Sequence, residues 1–170
     1  MSHGRVDDAT ALARIVAAEF RRRLLDETLP RLRACVARLG DDGVWRRPGP
    51  TCNSVGNLLL HLRGNTTQWI LATFAGEPDR RDRPAEFADR AGASGDHLLA
   101  ALADCWTRAC AAVDGLTVAE LLRERTIQGR YRETGLTAVL HVLEHCSGHA
   151  GQIYAWTKQA TGEDLRFYDL

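Results

Sequence analysis

The sequence predicts an all-α fold, a four-helix bundle. Three observations support this. Four long stretches carry apolar residues at steps of three and four, the period of one buried helical face. No stretch alternates convincingly between apolar and polar, as a half-buried strand would. Proline, glycine and serine punctuate the chain where those helices should begin and end. The 170 residues suit one domain spanning 1–170, large enough to bury a core without covalent staples.

The first helical pattern runs from about Asp8 to Leu39, through Leu12, Ile15, Val16, Phe20, Leu24, Leu25, Leu29, Leu32 and Val36. Pro30 should kink or split it, because proline removes a ladder donor and its ring crowds the preceding turn. Gly40-Asp41-Asp42-Gly43 should end it. A loop, VWRRPGPTCNS, follows. Ser54 is the expected N-cap of helix two, Val55 to Phe74, with Asn57 at its third position in a relative of the capping box. Residues 77–93 carry two prolines and many charges. They read as a long surface connection between helices two and three. Ser94 should cap helix three, Gly95 to Val113. A short helix is expected over Leu116–Leu122, and an irregular or extended stretch over Thr126–Tyr131. Helix four covers about Leu136 to Ala160 and stops before Gly162.

Charge is balanced, with 22 basic and 22 acidic residues, so nothing steers the chain to nucleic acid or an anionic membrane. No apolar run is long enough to span a bilayer. The N-terminus lacks a signal-peptide core, and a cytoplasmic location is expected. The five cysteines, Cys35, Cys52, Cys105, Cys110 and Cys146, form no CxxC pair and read as free thiols.

Chemistry concentrates in the histidines. Helix four contains LHVLEHCSGH, with His141, His145 and His149 four residues apart. His145 and His149 stack on one face with Val142, Ile153 and Trp156, a face that should point inward, while Glu144 meets solvent. Two buried imidazoles each need a hydrogen-bond partner, and a divalent metal answers both acceptor nitrogens at once. A hydrogen-bonded polar seam is the competing explanation. On helix two, His61 belongs to a polar stripe of Asn57, His61, Asn65 and Gln68 at the edge of an apolar face. His61 can therefore stand opposite His145 and His149 as a third ligand. His141 reads as the edge of the buried face, and His3 and His97 as uninvolved. No carboxylate shares either histidine seam, which speaks against a di-iron bundle, and HExxH is absent. Asn57, Asn65 and Gln152 are candidates for supporting hydrogen bonds.

The stretch SVGNLLLHLRGNTTQW, Ser54 to Trp69, the upstream WRRPGPTCNS and HCSGHAGQ, His145 to Gln152, together resemble the DinB superfamily of small metal-binding four-helix bundles. The order of elements fits from about residue 24 to 167. The resemblance implies metal ligands His61, His145 and His149, a bound divalent ion of the zinc or nickel kind, with iron also compatible, and a homodimer. It also implies a transferase acting on a small-molecule substrate with a low-molecular-weight thiol such as mycothiol or bacillithiol. Lys158 is the one lysine among the 22 basic residues, a usage typical of high-GC genomes that favours mycothiol. Arg130 and Tyr131 are placed to meet an anionic group of such a substrate. The alternatives are a metal-dependent hydrolase and a non-catalytic metal-binding or sensing dimer. The segment before residue 24 exceeds what the family pattern needs.

Overall fold

A computed structural model of the protein describes residues 3–90 and 92–167, with side chains from residue 8 onward. The first helical pattern is continuous as far as Gly40. It comprises α1 (His3–Arg21), a π-helical segment π1 (Arg22–Thr28) and α2 (Leu29–Trp45). Pro30 neither splits nor sharply ends it. The missing N–H and the ring are absorbed by widening the preceding turns, so that Leu29 N–H donates to Leu24 O, five residues back. The rod breaks at Gly40, whose φ of +62° is a left-handed conformation that glycine adopts without Cβ strain. One more short helical turn follows to Trp45.

Helix two is α3 (Val55–Thr66), a second π segment π2 (Thr67–Leu71) and a last turn α4 (Ala72–Phe74). Its start is a full capping box. Asn57 N–H donates to Ser54 Oγ at 3.1 Å, and Ser54 N–H donates to Asn57 Oδ1 at 3.1 Å. Residues 77–93 are not a plain surface connection, because they contain α5 (Arg83–Ala88), capped by Asp82 through Ala85 N–H. Helix three is α6 (Gly95–Asp114), capped by Ser94, and α7 spans Val118–Leu122 behind its own capping box of Thr117 and Glu120.

The expectation of no strand needs one correction. Residues Glu124–Ile127 (β1) and Tyr131–Thr134 (β2) form an antiparallel hairpin, with Ile127 opposite Tyr131. Gln128 and Gly129 both have positive φ, as a tight hairpin turn requires. Four-residue strands are too short to display an alternating pattern. Helix four is α8 (Gly135–Thr161), closed by Gly162 N–H donating to Lys158 O at 2.8 Å.

The bundle forms because each long helix has one apolar face to remove from water. Helix α3 packs on α6 and α8, and α2 packs on α8 and α6. Phe20, Leu24, Leu32, Leu58, Ile70, Leu102, Trp106 and Ile153 are all fully buried between them. Each such side chain contributes about 1.5–3 kcal/mol from burial. The α1 extension does not float free, because it lies against α6 and α7 and buries Ala17 and Phe20. No described helix is long and apolar enough to cross a membrane.

Candidate metal centre

Helix α3 brings His61, and α8 brings His145 and His149, to one place inside the bundle. Donor nitrogens of all three rings lie within 4.8 Å of one another. His61 is buried, and the two α8 histidines are half-buried. His145 Nε2 lies 2.9 Å from His61 Nε2. The ring centroids of His145 and His149 are 4.5 Å apart, and those of His61 and His149 are 5.0 Å apart. The four-residue step on α8 stacks its two rings on the face that points at α3.

The hydrogen bonds behind the rings set their chemistry. Glu86, from α5, places Oε2 2.8 Å from His61 Nδ1. Arg81 holds that carboxylate from the other side, Nε donating to Oε1 at 2.7 Å and Nη2 donating to Oε2 at 3.0 Å. Arg81 Nη1 donates in turn to Gln68 Oε1 at 3.0 Å. Burial would raise the Glu86 pKa, but the hydrogen bonds from His61 and Arg81 outweigh it and hold the carboxyl below its ordinary range. An ionised carboxylate only accepts, so Glu86 favours a proton on His61 Nδ1, although the Arg81 Nη2 donor also lies 3.0 Å from that nitrogen. Gln152 Oε1 does the same for His149, accepting from Nδ1 at 3.1 Å.

The ring nitrogens of three imidazoles thus converge, two of them with an acceptor oxygen beside Nδ1. This donor set can hold a divalent ion, and outer partners that fix the tautomer are what metal-ligating histidines require. Among the described residues, the polar neighbour of His61 Nε2 is another imidazole nitrogen, His145 Nε2. Burial drives the His145 pKa down to about 3, with the neighbouring His149, His61, His141 and Arg81 adding to the effect. Burial also lowers His149, against the opposing Gln152 hydrogen bond, and lowers His141, against Glu144 and Glu133.

These shifts have a pH consequence for the metal-free protein. Unfolded histidine titrates near 6.5, and His141, His145 and His149 bind protons more weakly when folded. Their contribution to stability is complete above that pH and is lost as pH falls toward the folded values. The urea midpoint of metal-free protein should therefore drop steadily from pH 7 to pH 4. A His145→Gln variant should show a shallower slope, and equal slopes would contradict the assignment.

Several expectations change at this point. The histidines are not free of carboxylate neighbours, because Glu86 arrives from the 77–93 segment. Arg81 and Glu86 were missed because that segment carries no apolar period. The readable signal was Asp82-Arg83-Pro84, an N-cap aspartate with proline in the first turn. Gly64 makes room for the pair, since a Cβ there would collide with Glu86 Oε1. Asn57 does not reach the rings. Its Nδ2 donates to Glu86 O and Asp89 O, both at 2.9 Å, while Arg47 Nη2 donates to Phe87 O at 2.9 Å, so the two residues fasten α5 over the site. Phe87 then packs 4.7 Å from the His61 ring.

Asn65 Nδ2 sits 3.3 Å from His141 Nε2, and Trp69, on π2, stacks on His141 at 3.7 Å. His141 therefore belongs to an aromatic wall beside the histidine cluster. Tyr131 extends that wall, 6.0 Å from Trp69, and Arg130 lies over the Tyr131 ring at 4.6 Å, both exposed at the hairpin turn. Cys146 is buried on the opposite side of α8 near Thr28, and burial raises its thiol to about 12. All five cysteines are free thiols. His97 is exposed, and His3 lies outside the described side chains.

Comparison with known proteins agrees with this architecture. The sequence model of the DinB superfamily matches residues 24–153. The crystal structure of a conserved protein from Enterococcus faecalis superposes with a TM-score of 0.68 at 17% identity, over 91% of this chain and 98% of that one. At that identity the likeness is one of fold. No curated protein matches the chain.

Proposed function

Because the chain belongs to the DinB superfamily, we propose that it binds one divalent metal ion, of the zinc or nickel kind, through His61, His145 and His149, and uses it to transfer a low-molecular-weight thiol to an electrophile. The observation that carries this reading is the convergence of three imidazole rings from two helices, with acceptors behind His61 and His149. Three neutral ligands leave the ion's charge undiminished and leave coordination positions open. A divalent ion supplies Lewis acidity that lowers a thiol's pKa and makes thiolate available near neutral pH.

The remaining work falls to the chain. Glu86 orients His61, and Arg81 keeps Glu86 ionised and in place. Gln152 fixes His149. Phe87 packs on His61, and Trp69 and His141 stack as aromatic surface beside the cluster. Glu86 is engaged by two donors and is not a free general base, which favours thiol transfer over hydrolysis.

The test is thiol consumption with monochlorobimane as electrophile, using mycothiol and bacillithiol in turn, on protein reconstituted with zinc or nickel. Metal-dependent turnover with one of the thiols is expected. Stoichiometric metal without turnover would leave a binding or sensing protein. We also take the protein to be a homodimer, and exposed Leu12, Ile15 and Leu140 offer apolar surface for a second copy. Light scattering should then return about twice the 18.8 kDa chain mass, and a monomer would contradict it.

A further inference from the structure

Residues 78–90 lie against α3 beside the histidine centre, and their one helix, α5, has no buried residue. An element with so little buried apolar surface is held by a few polar contacts and opens easily. At the start of this strap, Gln68 Nε2 donates to Asp79 Oδ2 at 2.8 Å, and Gln68 Oε1 accepts from Arg81. In its middle, Glu86 and Phe87 meet His61. At its end, Asn57 and Arg47 reach the last carbonyls of α5, which so short a helix cannot satisfy itself.

Arg47 ties the strap to the bundle with one nitrogen. Its Nη2 donates to Phe87 O at 2.9 Å and to Asn57 Oδ1 at 3.1 Å. Asn57 Oδ1 is also the acceptor of the α3 capping box, and Asn57 Nδ2 holds Glu86 O and Asp89 O. Arg90 Nη1 donates to Phe87 O as well, at 2.9 Å, but it belongs to the strap's own end and fastens it to nothing else. His61 is then the shared element. Its Nδ1 faces Glu86 on the strap, and its Nε2 faces His145 on α8. Whatever seats the strap holds the His61 ring in place, and an ion on the other side of that ring favours the seated strap, because coupling between two binding events is reciprocal.

We propose that Arg47 is a positioning residue of the metal centre, acting through α5. It seats the strap so that Glu86 and Phe87 close on His61, and metal on His61 in turn holds the strap closed. The inference rests on His61 being a metal ligand. It adds that a residue whose hydrogen bonds go to Asn57 and Phe87, not to the three rings, sets the metal affinity.

Arg47→Met keeps the apolar stem and removes both donated bonds. Its zinc affinity, read by chelator competition, should fall about three- to tenfold, with circular dichroism showing that it stays helical. Arg47→Lys, which restores a donor, should recover part of the loss. In a Glu86→Ala background the same Arg47→Met change should cost less than about twofold, because the route to His61 is already cut. Hydrogen exchange read by mass spectrometry is the second measurement. Saturating zinc should slow exchange across residues 78–90 by about fivefold or more in wild type, but not in Glu86→Ala, with α7 as the control that zinc leaves unchanged. Wild-type zinc affinity in Arg47→Met, an equal loss in the Glu86→Ala background, slowing that survives Glu86→Ala, or equal slowing in α7 would each overturn the proposal while zinc still binds. Wild-type protein that takes up no zinc would overturn the metal reading itself, and this proposal with it.

Discussion

Replacing Glu86 with alanine will weaken metal binding about 10- to 100-fold, the usual cost of removing the outer partner of a metal-ligating histidine. The reason is specific to this site. Glu86 Oε2 is the acceptor at 2.8 Å that fixes the proton of His61 on Nδ1 and turns Nε2 toward α8. Without it the ring can rotate or shift its proton to Nε2. The same substitution strands the Arg81 guanidinium, whose side chain is 6% exposed, without its counter-ion. Leaving a buried charge unpaired costs about 3 kcal/mol in stability. Competition with a chromogenic chelator measures the first effect, and urea unfolding of metal-free protein measures the second. Glu86→Gln separates them, since the amide oxygen can still accept from His61 while the charge is lost. It should retain more metal affinity than alanine does, yet remain destabilised. Wild-type affinity in Glu86→Ala would mean that His61 is not a ligand or is oriented by something else.

Trp106→Ala should be the most destabilising of the core changes, by about 3–5 kcal/mol. Trp106 is fully buried on α6, and its Nε1–H donates to Thr66 Oγ1 on α3 at 3.2 Å. Truncation opens a large cavity and orphans a hydroxyl at the contact between the two helices. Because α3 carries His61, the loss should also loosen the metal centre. Equilibrium urea unfolding gives the size, and a loss below about 1 kcal/mol would contradict the packing described here. Trp106→Phe keeps most of the volume and should cost far less.

The bundle and its histidines were readable from the sequence for a physical reason. His145 and His149 sit on one helix, so their spacing alone fixes that they share a face, and the apolar residues on that face say that it points inward. His61 could be placed because its polar stripe borders the buried side of α3. The parts that escaped lack a period. Arg81 and Glu86 reach the site from a charged, proline-containing segment whose path depends on tertiary contacts, chiefly the two bonds from Asn57 Nδ2. Asn57 was legible as a capping residue but not as a clamp, because its second role involves backbone atoms about 30 positions away. The hairpin was hidden by its brevity. Pro30 did not split the helix because a helix can answer a missing donor by widening its preceding turns.

The most direct test is elemental analysis of protein purified without an affinity tag or chelator, with wild type beside His61→Ala and His149→Ala. The account predicts about one divalent ion per wild-type chain and almost none in either variant, with circular dichroism showing that both remain helical. Wild-type protein that carries no metal and takes up neither zinc nor nickel on reconstitution would contradict it, and so would full occupancy in His61→Ala.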